Sequence, residues 1–248
     1  MAVNATFRFY EELNDFLKKP YRKKAFVHTF NGLTTVKDAI ESMGVPHTEI
    51  DLITVNGNPV EFNYRIMEND TIAVYPVYES LDISPVQLLR KKVLREPKFI
   101  LDVHLGKLAR YLRMAGFDCL YDKTYNDPEI IRLSLKQKRI ILTRDKGILK
   151  NGKVSRGMFV WSDSPKRQFG EVIARLQLEN FFHPFTRCTE CNEGIIQVEK
   201  DKITDQLQPM TRKYFSDFYQ CTGCKKIYWE GSHFTRMKQF MNEYQECP

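Results

Sequence analysis

Two C-x-x-C pairs near the carboxyl end of the chain constrain its fold more than any other feature of the sequence. The first pair is Cys188 and Cys191, and the second, after 29 intervening residues, is Cys221 and Cys224. Each pair forms a knuckle whose thiolates face one ion, and four thiolates complete a tetrahedral structural Zn²⁺ site. A closed Cys₄ shell leaves no position for water, so we expect one Zn²⁺ per chain with a structural role only.

The residues around these pairs extend the prediction to a zinc ribbon over residues 183–248. The segment GIIQVEKDK between the pairs is expected to form a hairpin, and Gly194 and Gly223 to supply turn freedom near the sulfurs. A redox dithiol is the alternative, but neither pair opens a helix after a strand as in a thioredoxin-like motif. Elsewhere, Cys119 is expected to be a core residue of a strand.

Composition excludes several classes of protein. The 248 residues are 42% hydrophobic and 28% charged, which suits a globular chain of one or two domains. Apolar runs such as Phe99-Ile100-Leu101 are much shorter than the roughly 18 residues that span a bilayer. The N terminus carries no basic region followed by an apolar one, so no secretory signal is predicted. We therefore expect a soluble cytoplasmic protein with no membrane partner.

The charges are divided unevenly along the chain. Residues 1–80 carry a net charge of −3, from 8 Lys/Arg and 11 Asp/Glu, whereas residues 81–248 carry +10, from 30 and 20. Such a division indicates separate modules and a polyanionic partner for the basic module.

Residues 1–80 follow the order strand, strand, helix, strand, strand, which is typical of a β-grasp domain. The VNG turn and the segment MENDTIAVYP resemble the ubiquitin-like sulfur carriers. Those proteins end in a free Gly-Gly, whereas this chain continues through Pro76-Val77-Tyr78-Glu79-Ser80, which argues against sulfur transfer. We expect this domain to dock onto the basic part of the chain or to regulate access to it, to offer a surface for a protein partner, and to be dispensable for chemistry.

Residues 81–97 are predicted to form a basic linker helix, ended by Pro97. From residue 98 to residue 182, strands alternate with amphipathic helices. This rhythm predicts an α/β fold, with a parallel sheet covered by helices on both faces.

Three acidic residues follow predicted strands of this α/β part. Asp102 follows KFIL, Asp145 follows RIILTR, and Asp163 follows MFVWS. The carboxyl ends of parallel strands form the edge where α/β proteins bind ligands, and a divalent cation relieves the repulsion between clustered carboxylates. Such a site, holding Mg²⁺ or Mn²⁺, activates water for phosphodiester cleavage. Asp127, at the start of the helix PEIIRLSL, is a further candidate ligand.

These acids also have a purely structural interpretation. Asp127 precedes Pro128 and Glu129 in the arrangement of a helix N-cap, and Asp145 has the same relation to the turn that follows it. Glu129 competes with Asp127 for the role of ligand.

Two further groups suit a nucleic acid. Lys107, Arg110 and Arg113 stand at i, i+3 and i+6 of the first helix after Asp102, where one basic face suits a phosphate backbone. The stretch YWEGSH offers aromatic rings for stacking on bases and His233 for a phosphate. The alternatives are a solvated helix face, and aromatic residues that pack the ribbon against the core.

The segments FILDVHLGKLARYLRMAGFDCLYD and NDPEIIRLSLKQKRIILTRD resemble the RNase domain named after the C terminus of the Mut-seven exonuclease. The resemblance implies a PIN-like nuclease core, a zinc ribbon after it and a ubiquitin-like domain in front. It places Asp102, Asp127 and Asp145 on the acidic positions of the family, and Asp163 matches least closely. The DPEI sequence departs from a plainer acidic pair, which leaves Asp127 and Glu129 as alternatives.

The leading hypothesis is a metal-dependent ribonuclease of the PIN-like type, with a Zn²⁺ ribbon that assists RNA binding. The alternative is a nonenzymatic RNA-binding or adaptor protein in which the acids are helix caps. The sequence leaves open the RNA substrate, endo or exo cleavage, and the oligomeric state.

Overall fold

The computed structural model describes residues 2–77, 89 and 97–245. The predicted linker helix of residues 81–97 lies outside the described residues, apart from Leu89 and Pro97. By packing, the chain divides into two compact units. The first is Met1–Arg95 with Ile131–Phe159, and the second is Glu96–Ile130 with Val160–Pro248. Within the described part of the chain, no helix has the length and apolarity needed to cross a bilayer.

The N-terminal part of the first unit is a β-grasp domain. Its elements are β1 (Ala2–Phe9), β2 (Phe26–Asn31), α1 (Val36–Ser42), β3 (Ile50–Val55), β4 (Asn58–Pro59) and β5 (Thr71–Pro76). The sheet order is β2-β1-β5-β3-β4, with β1 and β5 parallel. Alternate residues such as Phe7, Ile53 and Ile72 are fully buried, and Thr35 caps α1 by accepting from the Asp38 amide. The predicted element order is confirmed.

The rest of the first unit comes from the α/β part. It contains β8 (Ile140–Thr143), α4 (Lys146–Lys150) and β9 (Gly157–Phe159), and β8 pairs with β9 in parallel. All four residues of β8 are buried, which explains its unbroken apolar run.

Polar contacts join the β-grasp domain to this α/β segment. The Phe159 amide donates to Glu49 Oε1 at 2.5 Å, and the Glu49 residue is only 2% exposed. His47 Nε2 lies 2.8 Å from the Val154 carbonyl oxygen, and Lys150 Nζ donates to a backbone carbonyl of α1 at 2.7 Å. These contacts join the side chains and backbone of residues 1–80 to residues 150–159 within the first unit.

Apolar and cation–π contacts reinforce the same junction. The Phe16 ring packs edge-on against Phe159, with ring centroids 5.8 Å apart. Lys146 Nζ lies 5.1 Å from the Phe16 centroid and 5.3 Å from the Phe159 centroid. The first unit therefore has a continuous core that includes α4 and β9.

The second unit begins with β6 (Lys98–Leu101), α2 (Gly106–Met114) and β7 (Asp118–Leu120), and β6 pairs with β7 in parallel. Helix α3 (Asp127–Gln137) starts in this unit and continues into the first, and α5 (Pro165–Leu176) follows later. Phe99, Leu112 and Phe169 are fully buried in its core. The predicted α/β class, with parallel strands and amphipathic helices, is confirmed.

The C-terminal part of the second unit is the ribbon. Strand β10 (Ile195–Val198) pairs antiparallel with β11 (Phe218–Cys221), which pairs with β12 (Ile227–Trp229). The predicted GIIQVEKDK hairpin is wrong: only its first half is a strand, and β10 reaches its partner after 3₁₀ turns and α6 (Pro209–Tyr214). Helix α7 (Ser232–Gln245) then packs Phe240 against Tyr111 of α2 and Phe169 of α5.

Candidate functional site

The four knuckle cysteines meet at one point of the ribbon. Their sulfur atoms all lie within 4.8 Å of one another, with Cys188 and Cys224 at 3.6 Å and Cys191 and Cys221 at 3.2 Å. A tetrahedron with Zn–S bonds of about 2.3 Å has sulfurs roughly 3.8 Å apart, so this donor set fits a zinc ion.

The backbone of each knuckle turns just after its second cysteine. Asn192 and Lys225 occupy these positions in the left-handed region, with φ of 74° and 62°. Gly194 and Gly223, which were expected to supply turn freedom near the sulfurs, both have negative φ, so the left-handed turns fall on other residues. Gly223 is needed for space instead: a Cβ there would lie 2.7 Å from Glu193 Cγ.

The sulfur environments differ. Burial opposes ionisation of Cys188, but the hydroxyl of Tyr228 and backbone amides donate to its sulfur and lower its pKa to about 6. Burial, with the neighbouring Cys191, raises the pKa of Cys221 to about 12.

Arg113 and Asn192 fasten the first knuckle to the α/β part of the second unit. Arg113 donates from Nε to the Cys119 carbonyl at 2.9 Å, and from one terminal nitrogen to the carbonyls of Thr189 and Glu190 at 3.3 and 2.7 Å. Asn192 Oδ1 accepts from the Cys119 amide at 2.9 Å. These bonds place the metal ligands directly beside β7 and the end of α2.

The structure therefore corrects the prediction for Arg113. Arg113 is 4% exposed and its guanidinium donates to three carbonyls, so it does not belong to an open basic face. Each i+3 step on an α-helix falls about 60° short of a full turn. Arg113, six residues after Lys107, therefore stands about 120° away from it around the helix and leaves the face that Lys107 occupies.

Asp102 directly follows β6, as predicted, and is 5% exposed. Its Oδ1 accepts from the His104 amide at 2.9 Å, so it caps the 3₁₀ turn Val103–Leu105 that leads into α2. The glycine of the LGKLAR motif then packs closely: a Cβ on Gly106 would lie 2.6 Å from the Tyr121 ring. The motif thus fixes the direction of the chain immediately after Asp102.

Asp127 does not cap α3. The helix begins at Asp127 itself, and the preceding residue, Asn126, accepts from the Glu129 amide through Oδ1 at 3.0 Å. The capping interpretation of Asp127 is therefore wrong, because the true N-cap stands one residue earlier. Asp127 is exposed and Glu129 is half-buried.

Asp145 does cap a helix. Its Oδ1 accepts from the Gly147 amide at 2.6 Å at the start of α4, and its own amide donates to Thr143 Oγ1 at 2.8 Å. Asp163 is exposed in the bend before α5. The capping bonds use one carboxylate oxygen of Asp102 and one of Asp145, and carboxylate oxygens are donors of the type that Mg²⁺ and Mn²⁺ prefer.

Three of the four residues predicted to contact nucleic acid line one groove of the second unit. Lys107 and Arg110 form part of one wall, and His233, at the start of α7, forms part of another. Sequence reasoning missed Glu190, which lies in the same groove and pairs with Arg110 at 3.1 Å and Lys226 at 3.0 Å. Its position inside the knuckle, between two metal ligands, was the available signal.

Two family models match the chain. The model described as the Mut7-C RNAse domain matches residues 97–241, more than half of the chain, and the model described as Mut7-C ubiquitin matches residues 2–82. The two matches confirm the resemblance in the core motifs and the presence of a ubiquitin-like domain before them. No curated protein and no solved structure matches the chain.

Proposed function

The chain belongs to the Mut7-C RNase domain family, and we propose that it is a metal-dependent ribonuclease that hydrolyses RNA phosphodiester bonds. The observation that carries this proposal is the match of the RNase family model to residues 97–241. The acids that follow strands β6 and β8 support it, because these strand ends are the usual ligand positions of an α/β fold.

In this proposal, Asp102 and Asp145 hold one or two Mg²⁺ or Mn²⁺ ions, with Asp127, or Glu129 in its place, and Asp163 completing the acidic set. A divalent ion supplies a water of lowered pKa and stabilises negative charge on the attacked phosphate. The capping bonds of Asp102 and Asp145 hold their carboxylates in defined orientations. The zinc ribbon contributes RNA binding rather than chemistry.

The test is the substitution Asp102→Asn. Asn keeps the shape and caps nearly as well as Asp, so the melting temperature should change little. Loss of a negative ligand should abolish Mn²⁺-dependent cleavage and weaken Mn²⁺ binding measured by titration calorimetry, while RNA affinity stays equal or rises slightly. Asp201→Asn, at an exposed acid of the ribbon, is the matched control and should cleave normally. Undiminished metal-dependent cleavage by Asp102→Asn would overturn the assignment.

The capping bonds favour a second candidate, a nonenzymatic RNA-binding protein, because they give Asp102 and Asp145 a structural role without metal. That alternative predicts no cleavage by the native chain, no binding of Mn²⁺ and an RNA affinity unaffected by Asp102→Asn. The same set of measurements therefore separates the two functions.

A further inference from the structure

A large groove lies in the second unit between α2, the start of α5, the ribbon and α7. We call it the ribbon groove, and its walls are represented by Lys107, Lys166, Tyr219 and His233. Its volume is about 1,200 Å³. Small-molecule sites usually measure about 300–1,000 Å³, so the ribbon groove suits a segment of an extended polymer better than a compact metabolite.

The charge of the groove is positive. Five Lys or Arg residues line it against two acids, Glu190 and Glu230. Glu190 is already engaged by Arg110 and Lys226, and these ion pairs hold the two cations in place across the groove. An anionic polymer is the complementary ligand.

Aromatic rings stand between these charges. Trp229 is 38% exposed, although it is one of the largest apolar side chains. Phe215 lies 6.4 Å from its ring, and a Cβ on Gly231 would lie 3.1 Å from its Nε1, so the indole is supported from two sides. Phe185 and Phe234 form a second pair with centroids 4.6 Å apart. Cations interleaved with accessible rings are the platform on which unpaired bases stack.

We propose that the ribbon groove binds a single-stranded stretch of RNA, with Trp229 stacking on a base and with Lys107 and Lys166 at the phosphates. This inference rests on the proposed ribonuclease function and names the form of its substrate. Bases inside a duplex have no free face for Trp229, so the groove selects unpaired RNA.

The experiment measures binding apart from cleavage. Fluorescence anisotropy follows a labelled 12-nucleotide RNA of low secondary structure, titrated with the full zinc-loaded chain without added Mg²⁺ or Mn²⁺. Trp229→Ala should weaken binding about 5- to 150-fold, since stacking is worth about 1–3 kcal/mol per base, and Trp229→Phe should recover most of the affinity. Lys107→Gln should weaken binding and reduce the salt dependence by about one phosphate contact.

Matched controls lie outside the groove. Tyr214→Ala removes a ring that is 63% exposed on α6, and Lys136→Gln removes an exposed charge on α3. Both variants should bind RNA like the native chain. The zinc content of each variant shows whether the ribbon has kept its fold. If Trp229→Ala loses zinc, the RNA affinity of Lys107→Gln tests the groove assignment instead. A direct readout uses Trp161→Phe, which leaves Trp229 as the one tryptophan, and RNA should quench its fluorescence.

The outcomes separate the two proposals. Native affinity in zinc-loaded Trp229→Ala and in Lys107→Gln would overturn the groove assignment, even if the chain cleaves RNA. If an RNA duplex displaces the labelled single strand as well as an unlabelled single strand does, selection of unpaired bases is overturned. If poly-glutamate displaces the labelled RNA, and does so equally well from Trp229→Ala, the groove binds an acidic protein partner instead. Intact RNA binding that depends on Trp229, without any cleavage, would overturn the ribonuclease function and leave the groove assignment standing. A DNA strand of the same sequence, bound equally well, would overturn selection for RNA.

Discussion

The β-grasp domain and the zinc ribbon are each fastened to α/β strands and helices of their own unit, and each junction contains a buried charged side chain, of opposite sign in the two cases. In the first unit the attached domain supplies an acid, Glu49, which accepts from the Phe159 amide. In the second unit the α/β part supplies a base, Arg113, which donates to the carbonyls of Thr189 and Glu190 in the ribbon.

The difference follows from the backbone groups that each junction must satisfy. A carboxylate only accepts, so it suits an amide at the end of β9, whereas a planar guanidinium has five donors and suits the several carbonyls of a knuckle. Two of the three carbonyls that Arg113 contacts lie between Cys188 and Cys191, so a zinc ion bound by these cysteines would hold them in place. The ribbon junction should therefore depend on metal, and the β-grasp junction should not.

Removal of zinc should produce the largest difference in stability between the two junctions. Apparent binding energies of structural zinc sites are about 10–16 kcal/mol, so Cys221→Ser or chelation should unfold β10, β11 and β12. Hydrogen exchange should rise in these strands and at Cys119, whose amide and carbonyl bond to the ribbon junction, but not in β1–β5. Cys247→Ser is the matched control. Elemental analysis that finds no zinc in freshly purified, untagged protein would contradict the prediction.

The substitution Arg113→Ala breaks the ribbon junction without touching a ligand. It leaves three carbonyls without a charged donor, and we expect a loss of about 3 kcal/mol in the free energy of unfolding, measured by denaturant. Arg113→Lys should recover little, because an ammonium cannot reproduce the planar fork. Arg110→Ala, on the same helix but exposed, should cost at most about 1 kcal/mol. Equal effects at the two positions would contradict the assigned roles.

The substitution Glu49→Gln weakens the β-grasp junction. The amide oxygen still accepts but carries no charge, so the expected loss is about 1–2 kcal/mol, with faster exchange of the Phe159 amide. Zinc content should be unchanged, which separates this junction from the other. Glu61→Gln, at an exposed position of the same domain, is the control. An unchanged exchange rate at Phe159 would show that Glu49 does not hold this strand end.

Acid should produce the smallest effect, through Glu190. The hydrogen bond from Lys226, with the charges of Lys226 and Arg110, lowers the pKa of this carboxyl below its ordinary 4.5. A lowered folded-state pKa stabilises the fold above the ordinary value, and the contribution is lost as the pH falls through the folded-state pKa. Because the Glu190 side chain is 40% exposed, we expect its contribution to the free energy of unfolding to be about 0–1 kcal/mol. Glu190→Gln should remove this part of the difference in stability between pH 7 and pH 3, and an unchanged pH profile would contradict it.

Local patterns in the sequence predicted most of the elements. Apolar runs located β6 and β8, and helical spacing located α2 and α5, because burial of one face follows directly from residue order. The zinc ligands were also readable, since two C-x-x-C pairs need little beyond their own spacing. Capping was less reliable: Asn126 rather than Asp127 caps α3, because either residue can start that helix and only the backbone angles select one.

The sequence by itself determined the β-grasp order, the α/β rhythm and the cluster of four cysteines, because each depends on residues close together or on a repeated spacing. Only the tertiary structure decided that Arg113 is buried against the first knuckle, that Glu49 ends β9, and that Trp229 shares a groove with Lys107. These pairs are 77 to 122 residues apart along the chain, and no local energy term links them. Their contacts arise when separate elements pack, which one sequence read along its length does not reveal.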